Sequence, residues 1–100
     1  MDLGFKGKVA LVTGAGSQIG FGKAIALLLA KEGCDAVVVN DINLDDAKKT
    51  AEAVKALGRK AIAIKADVTK KAEVQEMVKK ALAEFKKIGI LANVTGGSTL

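Results

Sequence analysis

A glycine-rich stretch near the start of the chain has the composition of a phosphate-binding loop. It lies between Thr13 and Lys23 and has glycines at positions 14, 16, 20 and 22. Glycine lets the backbone approach a phosphate closely and leaves N–H groups free to donate, and a following helix adds the positive end of its dipole. The stretch therefore predicts a site for an anionic ligand. The alternative is a tight strand-to-helix turn that binds nothing.

Two glycine spacings fit this stretch, and both stay open. Gly14, Gly16 and Gly20 form GxGxxxG, whereas Gly16, Gly20 and Gly22 form GxxxGxG. A nucleoside-triphosphate P-loop is disfavoured, because no Ser or Thr follows the Gly-Lys pair to bind magnesium. The residues expected to contact phosphate are Gly14, Gly16, Ser17, Gln18, Ile19 and Gly20.

A carboxylate follows at Asp41, roughly twenty residues beyond the loop and directly after an apolar run. In dinucleotide-binding folds an acid at this place hydrogen-bonds the adenosine ribose hydroxyls, and its charge repels a 2′-phosphate. Asp41, with the adjacent Ile42, therefore predicts NAD rather than NADP. Lys23 is a basic side chain that could approach and favour NADP. The alternative role for Asp41 is to cap a turn with Asn43.

The elements that must position these residues alternate between strand and helix. Apolar, β-branched runs predict four strands, and apolar residues at helical spacing predict three helices between them. The first helix, at 21–31, is apolar nearly all round, so we expect it to be buried against a sheet. Asn43 and Thr69 are predicted N-caps of the other two helices. The predicted strands are 8–13, 36–40, 61–66 and 88–94.

This alternation predicts the fold class. Helical crossovers between strands of one sheet are right-handed in nearly every case and make the sheet parallel. We expect an α/β, Rossmann-type three-layer αβα fold, with four parallel strands in the order 3-2-1-4 and three helices. It would form a single domain over 1–100. Ligands of such sheets bind outside the carboxyl ends of the strands, here at the switch point between strands 1 and 4.

Composition argues against several other classes. The formal net charge is +5, but the lysines are spread over helix faces and aromatic residues are only 3%, so nucleic-acid binding is not expected. The longest apolar run is too short for a membrane span, and no signal peptide opens the chain, so a cytoplasmic protein is expected. Cys34 is the one cysteine, and we expect it in the core. No metal site is predicted.

The residues resemble the N-terminal part of the short-chain dehydrogenase/reductase family over essentially the whole chain. The run 8–14 looks like the family's first strand and its Thr-Gly entry, and NVTG at 93–96 stands where the family has Asn-Asn-Ala-Gly. The loop departs from the family spacing TGxxxGxG. Either Gln18 replaces a glycine, or GFG at 20–22 takes the GxG role and two residues are inserted.

The resemblance implies roles for residues at the other strand ends. Asp67 and Val68 match the family's adenine-contacting pair, in which the carboxylate accepts from the adenine amino group. Asn93, Thr95 and Gly96 would lie beside the adenosine ribose. Asp41 matches the family's NAD-selecting acid. The alternative for Asp67 is that it only prepares the turn before the third helix.

The resemblance also bears on activity. The family's catalytic Ser, Tyr and Lys lie beyond strand 4, and this chain has no tyrosine and no histidine, so the usual proton donor for carbonyl reduction is missing. We therefore expect no catalytic residue, and a truncated, ancestral-type or engineered chain that binds NAD(H) without catalysis on its own. One alternative is a subunit or fragment of an NAD-dependent oxidoreductase that needs a C-terminal half for hydride transfer. Another is a structural minimal Rossmann fold that binds a different adenosine ligand.

The fourth strand is predicted to be an open edge of the sheet. Ile90, Leu91, Ala92 and Val94 make it apolar, with no charge to block pairing. Such edges pair with other chains. We therefore expect a homodimer in which strand 4 meets its two-fold mate in antiparallel fashion, giving a continuous eight-stranded sheet.

Overall fold

A computed structural model describes residues 4–15 and 20–94 of the chain. Strands and helices alternate along it, as the sequence predicts. Their bounds are β1 Val9–Thr13, α1 Phe21–Lys31, β2 Ala36–Asp41, α2 Leu44–Ala56, β3 Lys60–Lys65, α3 Lys71–Phe85 and β4 Ile90–Asn93.

The four strands form one parallel sheet in the order β3-β2-β1-β4, which confirms the predicted topology. β1 is buried at every residue, and β2 at every residue except its last, Asp41. Such uninterrupted apolar strands are typical of parallel sheets that carry helices on both faces. Because all strands run the same way, their carboxyl ends lie at one edge of the sheet.

The helices cover both faces of the sheet. On one face α1 and α2 pack against Val12, Val37 and Val39. On the other face α3 packs through Met77 and Ala81 against a second buried cluster of strand residues. The three-layer αβα arrangement is therefore confirmed. None of the helices in the described ranges is long and apolar enough to cross a membrane.

Helix ends follow the predicted caps with one exception. The Asn43 side chain accepts a hydrogen bond from the Asp46 N–H and so caps α2. The prediction that Thr69 caps α3 is wrong. The N-cap is Lys70, which makes no side-chain cap bond, and the Thr69 hydroxyl donates instead to Asp67. α3 begins one residue later than a Thr69 cap requires: the carbonyl of Lys70 accepts the first helical hydrogen bond, from the Val74 N–H, so Lys70 occupies the cap position.

Helix α1 is less buried than its composition predicts. Ala26 and Leu29 are buried, but Phe21 is 82% exposed and Leu28 is 52% exposed. A helix that lies on a sheet buries only the side that faces the sheet. When the helix is apolar nearly all round, the apolar side chains on its opposite side stay exposed. β4 is also shorter than the predicted 88–94, since its pairing with β1 runs only from Ile90 to Asn93.

Candidate functional site

β1 and β4 end side by side at the switch point of the sheet. Their last residues, Thr13 and Asn93, are paired in register. The Thr13 hydroxyl donates a 2.8 Å hydrogen bond to Oδ1 of Asn93. Directly after Thr13 the chain turns at Gly14, whose φ of 68° lies in the left-handed region that favours glycine. The glycine-rich stretch therefore begins at the crevice where the topology predicts a ligand.

The start of α1 lies on the other side of this stretch. Its N-cap is Gly20, which has no side chain to cap the helix, and the first turn contains no acidic residue. The positive dipole end at this terminus is therefore not neutralised by a carboxylate of that turn. This is the electrostatic condition under which a helix start binds an anion.

Gly22 brings α1 into direct contact with the end of β1. A Cβ built at Gly22 would lie 2.7 Å from Cα of Ala15 and would overlap the Gly14 carbonyl group. Those neighbours are backbone atoms, which cannot swing aside, so only glycine fits. Of the two glycine spacings, GxxxGxG is the one that contains this position.

Ala15 is held by hydrogen bonds at both of its backbone polar groups. Its N–H donates a 2.8 Å bond to the carbonyl of Asn40 in β2. Its carbonyl accepts a 2.8 Å bond from the hydroxyl of Thr50 in α2. All three residues are completely buried. The first part of the glycine-rich stretch is therefore anchored to a strand and a helix that lie far away in sequence.

Asn40 also connects β2 to the end of β3. Its side-chain Nδ2 donates to the carbonyls of Ile64 and Ala66, at 3.1 and 3.2 Å. Its Oδ1 has no hydrogen-bond partner within the described residues. The two donated bonds fix the backbone that leads directly into Asp67.

Asp41 and Ile42 follow at the carboxyl end of β2. Oδ1 of Asp41 accepts a 2.9 Å bond from the N–H of Asn43, so the turn considered as its alternative role is present. This turn holds the carboxylate at the strand end. Ile42 is 63% exposed. An exposed apolar side chain beside a carboxylate offers one surface for an aromatic ring and one acceptor for hydroxyl groups.

Asp67 lies at the equivalent place after β3. Its Oδ1 accepts two hydrogen bonds from Thr69, one from the hydroxyl at 2.6 Å and one from the N–H at 2.9 Å. These bonds, the hydroxyl first, hold the pKa of the Asp67 carboxyl below its ordinary value. The side chain is thus an ionised acceptor at neutral pH.

One cavity joins the three predicted segments. It has a volume of about 200 Å³ and is lined by Gly14, Asp41, Ile42, Ala66, Asp67, Val68 and Thr69. Val68 also borders a second, mostly apolar cavity of about 180 Å³, whose lining includes Thr13 and Asn93. The structure therefore brings Gly14, both acids and their apolar neighbours together, and places Asn93 one cavity further along the sheet edge.

Several predicted residues lie outside the described part of the chain. They are Gly16, Ser17, Gln18, Ile19, Thr95 and Gly96. Within the described ranges, no three His, Cys, Asp or Glu side chains form a group that could hold a metal ion.

Three residues that shape the site were not among the predicted site residues: Gly22, Thr50 and Asn40. Gly22 was visible as the last glycine of GxxxGxG. Thr50 was visible as a hydroxyl three residues after Ala47, on the otherwise apolar stripe of α2. Asn40 gave no signal beyond being a polar residue at the end of an apolar strand.

Comparison with known proteins identifies a family. The sequence model of short chain dehydrogenases matches residues 8–100. An uncharacterized oxidoreductase of Thermotoga maritima is 43% identical over 94 residues, which are 94% of this chain and 36% of that protein. A cyclohexanol dehydrogenase of Acinetobacter sp. is 45% identical over 92 residues, covering 92% of this chain and 36% of the relative.

Solved structures show the same relationship. A 7α-hydroxysteroid dehydrogenase in complex with NADH and 7-oxo glycochenodeoxycholic acid superposes with a TM-score of 0.83 at 38% identity, over 90% of this chain and 34% of that one. An NAD⁺-bound xylitol dehydrogenase gives a TM-score of 0.80 at 40% identity, over 88% and 33%. The chain spans about a third of the length of these relatives. It therefore belongs to the short-chain dehydrogenase family of Rossmann-fold oxidoreductases.

Proposed function

We propose that this chain, as a single domain over 1–100, binds NAD(H) at the carboxyl edge of its sheet. The observation that carries the proposal is the cavity lined jointly by Gly14, Asp41–Ile42 and Asp67–Val68. Related proteins with NADH or NAD⁺ bound support a nicotinamide nucleotide as the cofactor. The more specific assignments rest on the chemistry of each part of the site.

The pyrophosphate is assigned to the glycine-rich stretch. Gly14 and Gly22 keep side chains out of the junction between β1 and α1, and the N-cap residue Gly20 has no side chain of its own to cap the helix. Close backbone approach and a positive helix end are what a diphosphate requires. Gly16, Ser17, Gln18 and Ile19 are proposed to complete this part of the site.

The adenosine ribose is assigned to Asp41. One carboxylate offers about four lone-pair positions, so the bond from the Asn43 N–H is compatible with further bonds from ribose hydroxyls. The same negative charge would lie against the 2′-phosphate of NADP. We therefore propose a preference for NAD.

The adenine ring is assigned to the space between Ile42 and Val68, which both line the cavity. Their apolar side chains suit the faces of the ring, and the ionised Asp67 suits its amino group, since both hydrogen bonds from Thr69 use the same oxygen, Oδ1. We propose that Asn93, Thr95 and Gly96 lie on the ribose side, as the family resemblance implies.

The nicotinamide ring, when bound, supplies or accepts a hydride. Reduction of a carbonyl also needs a proton donor, and the 100 residues contain neither tyrosine nor histidine. We therefore propose that this chain binds and orients the nucleotide without catalysis on its own. Hydride transfer would require residues from a further segment or from another chain.

Titration calorimetry with NAD, NADP and adenosine tests this function. We expect NAD to bind, adenosine to compete with it, and NADP to bind at least about tenfold more weakly because of the charge at Asp41. S-adenosylmethionine serves as an alternative adenosine ligand. No heat with NAD at millimolar concentration, or tighter binding of S-adenosylmethionine than of NAD, would contradict the proposal.

The open edge of β4 carries a separate proposal about assembly. β4 lies at one end of the described sheet, and Leu91 is 66% exposed. We propose that β4 pairs in antiparallel fashion with β4 of a second copy, because an apolar strand at the edge of a sheet is a template for another strand. Light scattering at micromolar concentration should give a dimer mass, whereas a strictly monomeric mass contradicts this assembly.

A further inference from the structure

We infer that Thr50 is a positioning residue for the phosphate-binding turn, although it lies on α2, 35 residues from the turn it holds. This inference rests on the proposed nucleotide binding. It concerns the hydroxyl group alone, and not the packing of the side chain.

Thr50 is a buried polar group on an apolar helix face. Ala47, Ala51 and Val54 form the rest of this buried face of α2. A buried hydroxyl is costly unless it is hydrogen-bonded. The Thr50 hydroxyl donates a 2.8 Å hydrogen bond to the Ala15 carbonyl. This helix face therefore directs a hydrogen-bond donor at the glycine-rich stretch.

The bond controls the direction of a carbonyl group near the anion. A carbonyl oxygen carries a partial negative charge and would repel a phosphate if it faced one. Thr50 holds the Ala15 oxygen towards α2, while the Ala15 N–H is held by the Asn40 carbonyl. Both polar groups of this buried residue are therefore satisfied by the protein before any ligand arrives.

This anchoring reduces the conformational freedom that the turn must lose when a ligand binds. A turn whose course is fixed in the free protein loses less conformational entropy on binding than a loose one. Ala15 follows Gly14, which lines the cavity, and it lies against Gly22 at the start of α1. Loss of the Thr50 bond should therefore weaken contacts to the pyrophosphate.

The adenosine side is held by different contacts. Asp41 is fixed by Asn43, and Asp67 is fixed by Thr69. Removing the Thr50 hydroxyl leaves these turns intact. The inference therefore predicts an effect that depends on which part of the nucleotide is present.

The experiment compares Thr50→Val, which keeps the shape, with Thr50→Ser, which keeps the hydroxyl. NAD, ADP and adenosine are titrated into each variant of the whole 100-residue chain. We expect Thr50→Val to weaken the binding of NAD and of ADP about tenfold, because one hydrogen bond is lost. The affinity for adenosine should change by less than about twofold. Thr50→Ser should stay close to wild type.

Val54→Ala is the matched control for general destabilisation. It shortens a buried side chain of the same helix face and leaves the bond from Thr50 to Ala15 in place. Val54→Ala should leave the ratio of NAD to adenosine affinity unchanged. Equal loss of NAD and adenosine binding in Thr50→Val, or a Thr50→Ser variant as weak as Thr50→Val, would overturn the inference.

Amide hydrogen exchange separates this inference from the proposed function. If the wild-type chain binds none of the three ligands, the proposed function fails, but the Ala15 amide still reports on the turn. In Thr50→Val, exchange of the Ala15 amide should accelerate about tenfold relative to the Val38 amide at the centre of the sheet. If both amides accelerate together, Thr50 is only a structural residue and the inference is wrong.

Discussion

The hydroxyl of Thr69 donates a 2.6 Å hydrogen bond to Oδ1 of Asp67, and the Thr69 N–H donates a second bond to the same oxygen. The two bonds favour the ionised carboxylate and lower its pKa. Both bonds lie within the turn before α3, whose N-cap is Lys70.

Thr69→Val should therefore raise the pKa of Asp67 towards its ordinary value. A carboxyl whose pKa is lower in the folded than in the unfolded state stabilises the fold above the unfolded pKa. That contribution is lost as pH falls through the folded pKa. Carboxyl ¹³C titration by NMR measures the shift, with Thr69→Ser as the control that keeps the hydroxyl. An unchanged Asp67 pKa in Thr69→Val would contradict the assignment.

Gly22→Ala tests the contact between α1 and the end of β1. Alanine normally stabilises a helix interior relative to glycine, but here its Cβ would overlap backbone atoms of Gly14 and Ala15. We expect a loss of about 1–3 kcal/mol in the free energy of unfolding, measured by urea denaturation.

Gly89→Ala is the control for this substitution. The nearest atom to a Cβ at Gly89 is Cδ of Lys8, 3.1 Å away on a flexible side chain. The control should change stability little. A Gly22→Ala variant as stable as wild type would show that the helix does not need this close approach.

Asn40→Leu tests the polar connection between β2 and β3. The variant removes both donors to the carbonyls of Ile64 and Ala66, and we expect it to cost roughly 2–4 kcal/mol. Asn40→Asp should cost more, because it keeps the shape but replaces the donors with a buried acceptor or charge. The denaturant midpoints of the two variants measure this order of stability. An Asn40→Asp variant more stable than Asn40→Leu would contradict the prediction.

Cys34 should be unreactive in the folded chain. It is completely buried, and burial, followed by the nearby charge of Asp35, raises the pKa of its thiol, which Arg59 partly offsets. A thiol reagent should label Cys34 at the rate of unfolding, and at once in denaturant. The pKa of the Cys34 thiol is higher in the folded than in the unfolded chain. Its contribution to the free energy of unfolding is therefore complete at pH values below the unfolded pKa, and it is lost as pH rises through the folded pKa. Rapid labelling of the folded chain at neutral pH would contradict this placement.

The sequence predicted the fold well because its signals were local. α1 has the predicted bounds 21–31, directly after the glycine-rich stretch, and Asn43 caps α2 as expected. Asp67 was implied by the family resemblance, and it meets Asp41 because parallel strands end at one edge of the sheet.

Other features depended on geometry that no local pattern contains. The bond from Thr50 to Ala15 joins residues 35 apart and depends on the rotation of α2 about its axis. The clash at Gly22 depends on how closely α1 approaches Gly14. The exposure of Phe21 and Leu28 depends on what covers the outer side of α1, which the apolar pattern of the helix does not specify.

NMR chemical-shift mapping with NAD on the ¹⁵N-labelled chain tests whether the nucleotide binds at the carboxyl edge of the sheet. We expect shifts at Gly14, Asp41–Ile42 and Asp67–Val68, which line one cavity, and at the start of α1, where the pyrophosphate is assigned. Gly33 and Gly58, which follow α1 and α2 and lead into the opposite ends of the strands, should not move. Shifts confined to that opposite edge, or no shifts with NAD at millimolar concentration, would contradict it.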